Sequence, residues 1–479
     1  MPPTRQFDRP GRAPTRPSLT RRAARRQRRL VGITNCFRCY LLGHTGRPIT
    51  TWLAVSLLVA LATACSFPRP PDVGDDAAPP AGCSRDQDCG SPTPFCVDTA
   101  CAACRDSASC PATRPVCDLV SHDCRTCIKD SECDSGACDL AAGRCVDQAA
   151  ILYASPSGGS TDPCTQTSPC SLRRASGLVN TGTPYIVLQP GRYSGGASLV
   201  GKKVTIAGNN ATLYIVDSPL SLIGGSNSEI TIRDINIEEH LSPDGQEAIA
   251  IIDLIASNIT IENMKSNTSL LIAVLVSNDD QNSTLIVGHS SFTGPSVSAP
   301  QVIIDGCVFH DGCVLGDRCF FHNFFPGSSG AIQMTNSILI ADSTDKTFRI
   351  GASFMTHLNS RIIHNTFVGG AGIDCSAGFG PVTFDSNIYY NVPTISTPSG
   401  CQYQYNLSIP DAGLAGIGNI TGDPKFKDVA NGDFHVQPGS AAIDAANPGD
   451  LFTGHDFDGA QRPQGGRSDI GAFEYVPTR

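Results

Sequence analysis

Four stretches decide the fold: Ile230-Thr-Ile-Arg-Asp-Ile-Asn-Ile237, Val302-Ile-Ile-Asp-Gly-Cys-Val-Phe309, Arg361-Ile-Ile-His-Asn-Thr-Phe-Val368 and Val382-Thr-Phe-Asp-Ser-Asn-Ile-Tyr389. Each reads apolar-x-apolar, then one or two polar turn residues, then an apolar pair. Alternation with a period of two is the mark of a half-buried strand, and Asp, Asn and Gly accept the tight turn that follows. Similar short β-branched runs recur from residue 200 onward, among them Val204-Thr-Ile206, Ile259-Thr-Ile261 and Thr284-Leu-Ile-Val287. The recurrence interval is irregular, about 20 to 30 residues, which suits a solenoid of short strands better than a sandwich or propeller. The predicted fold is all-β, a right-handed parallel β-helix over residues 150–420. About ten coils stacked at about 4.8 Å would make a rod about 50 Å long.

Both ends of this region carry a resemblance. Ile151-Leu-Tyr-Ala-Ser-Pro, the Gly158-Gly159 turn, a short helix over Leu172–Val179 and Tyr185-Ile-Val-Leu-Gln-Pro-Gly-Arg-Tyr193 resemble the opening of many extracellular β-helices. The helix would cover the open strand edge, which otherwise invites pairing with other chains. Residues 421–479 contain Gly422-Asp-Pro-Lys-Phe426, Asn431-Gly-Asp-Phe-His-Val436 and Asp469-Ile-Gly-Ala-Phe-Glu-Tyr475. That segment is similar to the C-terminal part of bacterial surface β-helix proteins of the pectin-lyase-like superfamily. The resemblance implies a surface-displayed β-helix.

Ahead of the β-helix, residues 83–145 hold three copies of a four-cysteine pattern: Cys83, Cys89, Cys96, Cys101; Cys104, Cys110, Cys117, Cys124; and Cys127, Cys133, Cys138, Cys145. Few large apolar side chains accompany them, so cross-links must replace a core, as in small exported modules. The C-x2-C pairs at Cys101/Cys104 and Cys124/Cys127 could suggest zinc, but they fall on the seams between copies, and disulfides are the expectation. Four cysteines permit three connectivities, which spacing does not choose between. Cys164 and Cys170 are expected to bridge the opening loop. The modules resemble disulfide-rich repeats in lipoproteins of social and predatory soil bacteria, and are read as a small stalk.

The first 64 residues read as a leader. Arg21, Arg22, Arg25, Arg26, Arg28 and Arg29 precede Trp52-Leu-Ala-Val-Ser-Leu-Leu-Val-Ala-Leu-Ala-Thr-Ala64. That uncharged run is too short to span a bilayer and suits a signal-peptide core. Ala62-Thr-Ala-Cys65 resembles the bacterial lipobox, which implies lipidation of Cys65. Residues 65–82, rich in Pro, Ala and Asp, form a tether that cannot bury enough apolar surface to order itself. The expected address is exported: outer membrane or cell surface, held to the membrane through the lipid. The basic cluster has no interleaved aromatics, so no nucleic-acid partner is expected.

Residues able to do chemistry are sparse. The sequence has neither a G-x-x-x-x-G-K-[ST] phosphate loop nor a G-x-S-x-G elbow. The superfamily resemblance raises polysaccharide lyases and glycoside hydrolases, which need a positioned base or paired carboxylates. Asp305, His310 and Asp311, in a cysteine-rich insert with Cys307, Cys313 and Cys319, are the catalytic candidates. The insert's cysteines could ligate a metal, but disulfides are the expectation, with Cys375 and Cys401 as further partners; five cysteines cannot all pair internally, so at least one stays free or pairs elsewhere. Asp456, Asp458 and Asp469 beside Gly459 are calcium candidates, with turn-amide contacts as the plainer role; no other cofactor is expected. Tyr389, Tyr390, Tyr403 and Tyr405 could stack on sugar rings or pack under loops. The leading expectation is a non-catalytic surface protein that binds polysaccharide or another cell surface, with an acidic-polysaccharide lyase or hydrolase as the alternative.

Overall fold

The computed structural model describes residues 82–194, 196–214, 221–238, 250–255, 257–275, 283–299, 301–310, 318–323, 331–341, 347–352, 360–370, 372–375, 382–395, 400–449 and 454–477. The leader, Cys65 and the tether as far as residue 81 lie outside them, as do Asp311 and Cys313. Ala81–Arg479 forms one compact unit.

Among the described residues, twenty-six strands join by parallel pairing into a β-helix. Its register explains the four stretches. Leu152, Ile186, Ile206, Ile232, Ile261, Val287, Ile304, Met334, Ile362, Phe384 and Tyr403 stand in register on successive coils. All are buried. A second inward column runs Phe292, Phe309, Leu339, Phe367, Tyr389. Each fully buried side chain of this size contributes about 1.5–3 kcal/mol relative to exposure. The coils are unequal: 17 residues separate the rungs Val287 and Ile304, and 30 separate Ile304 and Met334. The loops absorb the difference, so the strands stack while the sequence repeat stays irregular.

Between the two columns the chain turns through a left-handed residue on coil after coil: Asp234, Asn263, His289, Gly306, Asn336, His364, Ser386 and Tyr405 all have positive φ. Asn, Asp and His tolerate this region better than other side chains, and Gly306 takes it at no steric cost. The next residue points inward; it is apolar at Ile235 and Met264, and from Ser290 onward it builds a polar ladder. Asn365 Nδ2 donates to Asn387 Oδ1 at 3.1 Å, Asn387 to Asn406 at 3.1 Å, and Asn406 to Asn419 at 3.0 Å. Their amides also donate to main-chain carbonyls of Ile363, Ile362 and Phe384, so these buried groups are satisfied from coil to coil.

Cys307 occupies one rung of the same ladder. Its backbone N–H donates to Ser337 Oγ, and its Sγ lies 3.5 Å from the Val287 carbonyl. Burial pushes the thiol pKa up to about 12. Of the five cysteines that could not all pair among themselves, Cys307 is a free, buried thiol. It stands where other coils place Ser or Asn, enclosed by neighbouring coils. Cys401, in contrast, is disulfide-bonded. Tyr389 and Tyr403 are core residues rather than a sugar-stacking platform.

At the opening, Leu172–Leu178 forms the short helix, capped by Ser171, whose Oγ accepts from the Arg174 N–H. Cys164 bridges Cys170. In each module the first cysteine pairs with the third and the second with the fourth: Cys83–Cys96 and Cys89–Cys101, Cys104–Cys117 and Cys110–Cys124, Cys127–Cys138 and Cys133–Cys145. Three sulfurs of each module lie within 4.8 Å of one another, but all are bridged and none is the thiolate a metal requires.

The third module is docked on the β-helix rather than held away from it as a stalk. Arg233, on the outer face of Glu229–Glu238, pairs with Asp130 at 2.9 Å, with both side chains buried. Tyr153 Oη donates to the Ser135 carbonyl, and Ala137 packs with Ile151, Tyr153, Val187 and Ala207.

Candidate functional site

Outward residues of the second sheet change character along the axis. Ser291, Val308, Ile338, Thr366 and Ile388 stand in register, and beside them run Thr293 with His310, then Ile340 with Val368 and Tyr390. The face is polar on the Ser291 coil and apolar from Ile338 onward. The C-terminal segment covers the apolar part: Phe434, Ala472 and Phe473 pack with Ile338 and Val368. Gly471 N–H donates to the Ser386 carbonyl, and Ala472 N–H to Thr366 Oγ1. At Gly471 (φ +97°) a Cβ would lie 2.5 Å from Ile388, so only glycine lets the segment lie this close.

Where the cover ends, a cavity of about 420 Å³ opens over Val308, Ile338 and Ile340, with His310, Asp433, His435, Phe457 and Asp458 around it. His435 sits between two carboxylates: Nδ1 is 2.6 Å from Asp433 Oδ1 and Nε2 is 2.6 Å from Asp458 Oδ2. A neutral imidazole has one N–H and could satisfy only one of them, so both contacts require the imidazolium. Burial opposes that charge, but the hydrogen bonds to Asp458 and Asp433 outweigh it and hold the pKa above its usual value. Lys427 donates to Asp433, and that contact, with help from His435, brings the Asp433 carboxyl down to about 2. The ring of His435 also lies 4.0 Å from that of Phe473. Doubly paired, His435 has no lone pair with which to take a proton. His310 lines the same cavity, exposed and without a hydrogen-bond partner among the described residues.

The sequence candidates scatter around this place. Asp305 lies at the left-handed corner, where its Oδ1 accepts from Thr335 Oγ1 at 2.7 Å and Asn336 Nδ2 at 2.9 Å, and its Oδ2 is 3.6 Å from His455 Nε2. No contact joins it to His310 among the described residues. The calcium candidates also divide. Asp456 accepts from the backbone N–H of Asp458, Ala460 and Glu474. Asp469 accepts from those of Asp444 and Tyr475. Burial raises Asp469 to about 6, despite these donors. Both are turn-holding carboxylates, and only Asp458 reaches the cavity. Buried Arg462 ties the same turns together through Glu474 and the carbonyls of Asp469 and Gly471.

Sequence reading missed Asp433, His435 and Lys427. The signal was present in Asn431-Gly-Asp-Phe-His-Val436: in the strand Asp433–Val436, positions two apart share a face, which puts Asp433 and His435 on one side.

Compared with known proteins, the chain is similar to the crystal structure of pectate lyase Pel9A, at 16% identity and a TM-score of 0.39, over 68% of this chain and 96% of that one. No family model matches the sequence. No curated protein matches it either.

Proposed function

We propose that this is an exported surface protein, lipid-anchored at Cys65, whose β-helix binds a glycan in the cavity beside the C-terminal segment. The observation that carries this reading is the make-up of that cavity: an apolar floor of Val308, Ile338 and Ile340, a polar rim, and carboxylates already engaged by His435 and Lys427. A sugar ring offers a matching pair of surfaces, an apolar C–H face and a rim of hydroxyls. The volume falls within the range typical of small-molecule pockets, roughly 300–1,000 Å³. The leader and the bridged modules support an oxidising, extracellular address. The resemblance to pectin-lyase-like surface proteins accords with it.

One feature favours the alternative, a lyase or hydrolase of acidic polysaccharide. His310 faces the cavity with an imidazole that no described residue engages, and such a group can serve as a base. The test incubates the full chain with acidic and neutral polysaccharides, with and without calcium. It follows absorbance from unsaturated uronides, new reducing ends and retention of protein on the polymer. Retention without products, weakened at least fivefold by Phe457→Ala, supports binding. Product formation abolished by His310→Ala overturns it in favour of catalysis.

A further inference from the structure

A second cavity, of about 510 Å³, lies in the first coils beside the capping helix, with Ser155, Arg173, Tyr193, Ser194 and Ser198 in its lining. Its chemistry follows from which polar groups are already engaged. Arg173 and Arg174 are sequence neighbours with different fates. Arg174 donates through Nε to the Asp162 carbonyl at 2.6 Å and through Nη1 to that of Ser160 at 2.9 Å. Lys202 donates to the Val179 carbonyl. Arg192 pairs with Glu238 and lies over the Tyr214 ring. Each of these cations holds the fold. Arg173 makes no side-chain hydrogen bond or ion pair with any described residue, and among the described residues no carboxylate lines the cavity it borders.

The hydroxyls are divided in the same way. Tyr193 Oη lies 2.8 Å from the carbonyls of both Ala154 and Gln189, so the phenol presents its ring to the cavity and keeps its polar end in the wall. Ser171 Oγ caps the helix. The hydroxyls of Ser155, Ser194 and Ser198 have no partner among the described residues, and Ser155 is only 7% exposed. Pro156 and Leu172 add apolar wall.

We propose that this cavity binds the carboxylate of an acidic sugar, independently of the site beside the C-terminal segment. A guanidinium with its fork free matches a carboxylate in bidentate fashion. The serine hydroxyls, able both to donate and to accept, match ring hydroxyls, and the Pro156, Leu172 and Tyr193 surfaces match the apolar face of a pyranose. The space far exceeds what a bare inorganic anion fills.

The test titrates the full chain calorimetrically, at low salt, with methyl glucuronoside, with the same sugar carrying its carboxyl as a methyl ester, and with inorganic sulfate. Glucuronoside should bind at least tenfold more tightly than the ester. Arg173→Ala should remove that preference, Arg173→Lys should restore part of it, and His310→Ala should leave it unchanged. An unaltered melting temperature in Arg173→Ala, expected for an exposed side chain, separates lost binding from lost fold. Equal binding of ester and acid, undiminished binding by Arg173→Ala, or sulfate binding as tightly as the sugar would each overturn the proposal.

Discussion

The three cysteine modules and the β-helix hold a chain together by opposite means. The modules have almost no core, and Leu119 and Val120 of the second stand 68% and 94% exposed. Their order rests on bridges closing loops of 11 to 14 residues, each stabilising by about 3 kcal/mol through the unfolded state. The β-helix is held by contacts in the folded state: the column from Leu152 to Tyr403, the asparagine ladder and the C-terminal cover. Reducing agents should therefore act chiefly on the modules and core truncations on the β-helix, whose own bridges at Cys164–Cys170 and Cys401 add to a core that already holds it. The third module belongs to both, stapled internally and docked through Arg233 and Asp130.

The largest expected effect divides the two regions. Reduction and alkylation should unfold residues 83–145 and leave the β-helix intact. Limited proteolysis followed by mass spectrometry would then show a resistant fragment starting near Val146. Loss of the β-helix under the same treatment would falsify the division.

The joint gives the next effect. Arg233→Ala leaves Asp130 buried without its cation, a loss of about 3–5 kcal/mol for a buried pair broken from one side. Burial already raises the Asp130 pKa. The expected outcome is protease cutting within residues 129–145 while the first two modules stay resistant. Arg233→Met with Asp130→Leu should recover much of the protection.

The smallest effect concerns the C-terminal cover and its pH response. His435, with a pKa raised in the fold, contributes stability that is complete below about 6.5 and lost as pH rises through its folded pKa. Asp469, raised from 3.8 to about 6, contributes in the same direction and is lost as pH rises through about 6. Asp433, lowered to about 2, acts oppositely and weakens the segment only as pH falls below its ordinary value of 3.8. The cover should be firmest near pH 4 and weaken steadily as pH rises, through Asp469 up to about 6 and through His435 beyond 6.5. Hydrogen-exchange protection over residues 433–475, corrected for intrinsic rates, should fall between pH 5 and pH 8, while that of Ala331–Thr335 stays constant. Equal losses in both regions would remove the local cause.

Much of this architecture is legible residue by residue. The alternation in Ile230-Thr-Ile232 and Val302-Ile-Ile304 announces strands, and the second residue after each run marks the corner, because a left-handed turn favours the Asp234 and Gly306 found there. Spacing made the bridged modules recognisable but left their connectivity open, since each of the three pairings closes loops that a disulfide can span. The sites were read less well. Asp305 was a candidate for chemistry in sequence, and Asp456 and Asp469 for calcium with turn-amide contacts as the plainer role; in the fold their carboxylates accept from neighbouring hydroxyl, amide and backbone N–H groups.

Sequence alone therefore determined what depends on near neighbours: strand, corner, helix cap and stapled module, each governed by steric and hydrogen-bonding rules acting over a few residues. Tertiary structure alone decided which distant groups meet. Arg233 reaches Asp130 across 103 residues, and Asn447 reaches Asp385 across 62. Cys307 remains a thiol on a rung it shares with Ser and Asn, and no described residue engages the Arg173 side chain while Arg174 is bound. These outcomes depend on how coils of 17 and of 30 residues come into register, a property of the stacked whole that no local pattern carries.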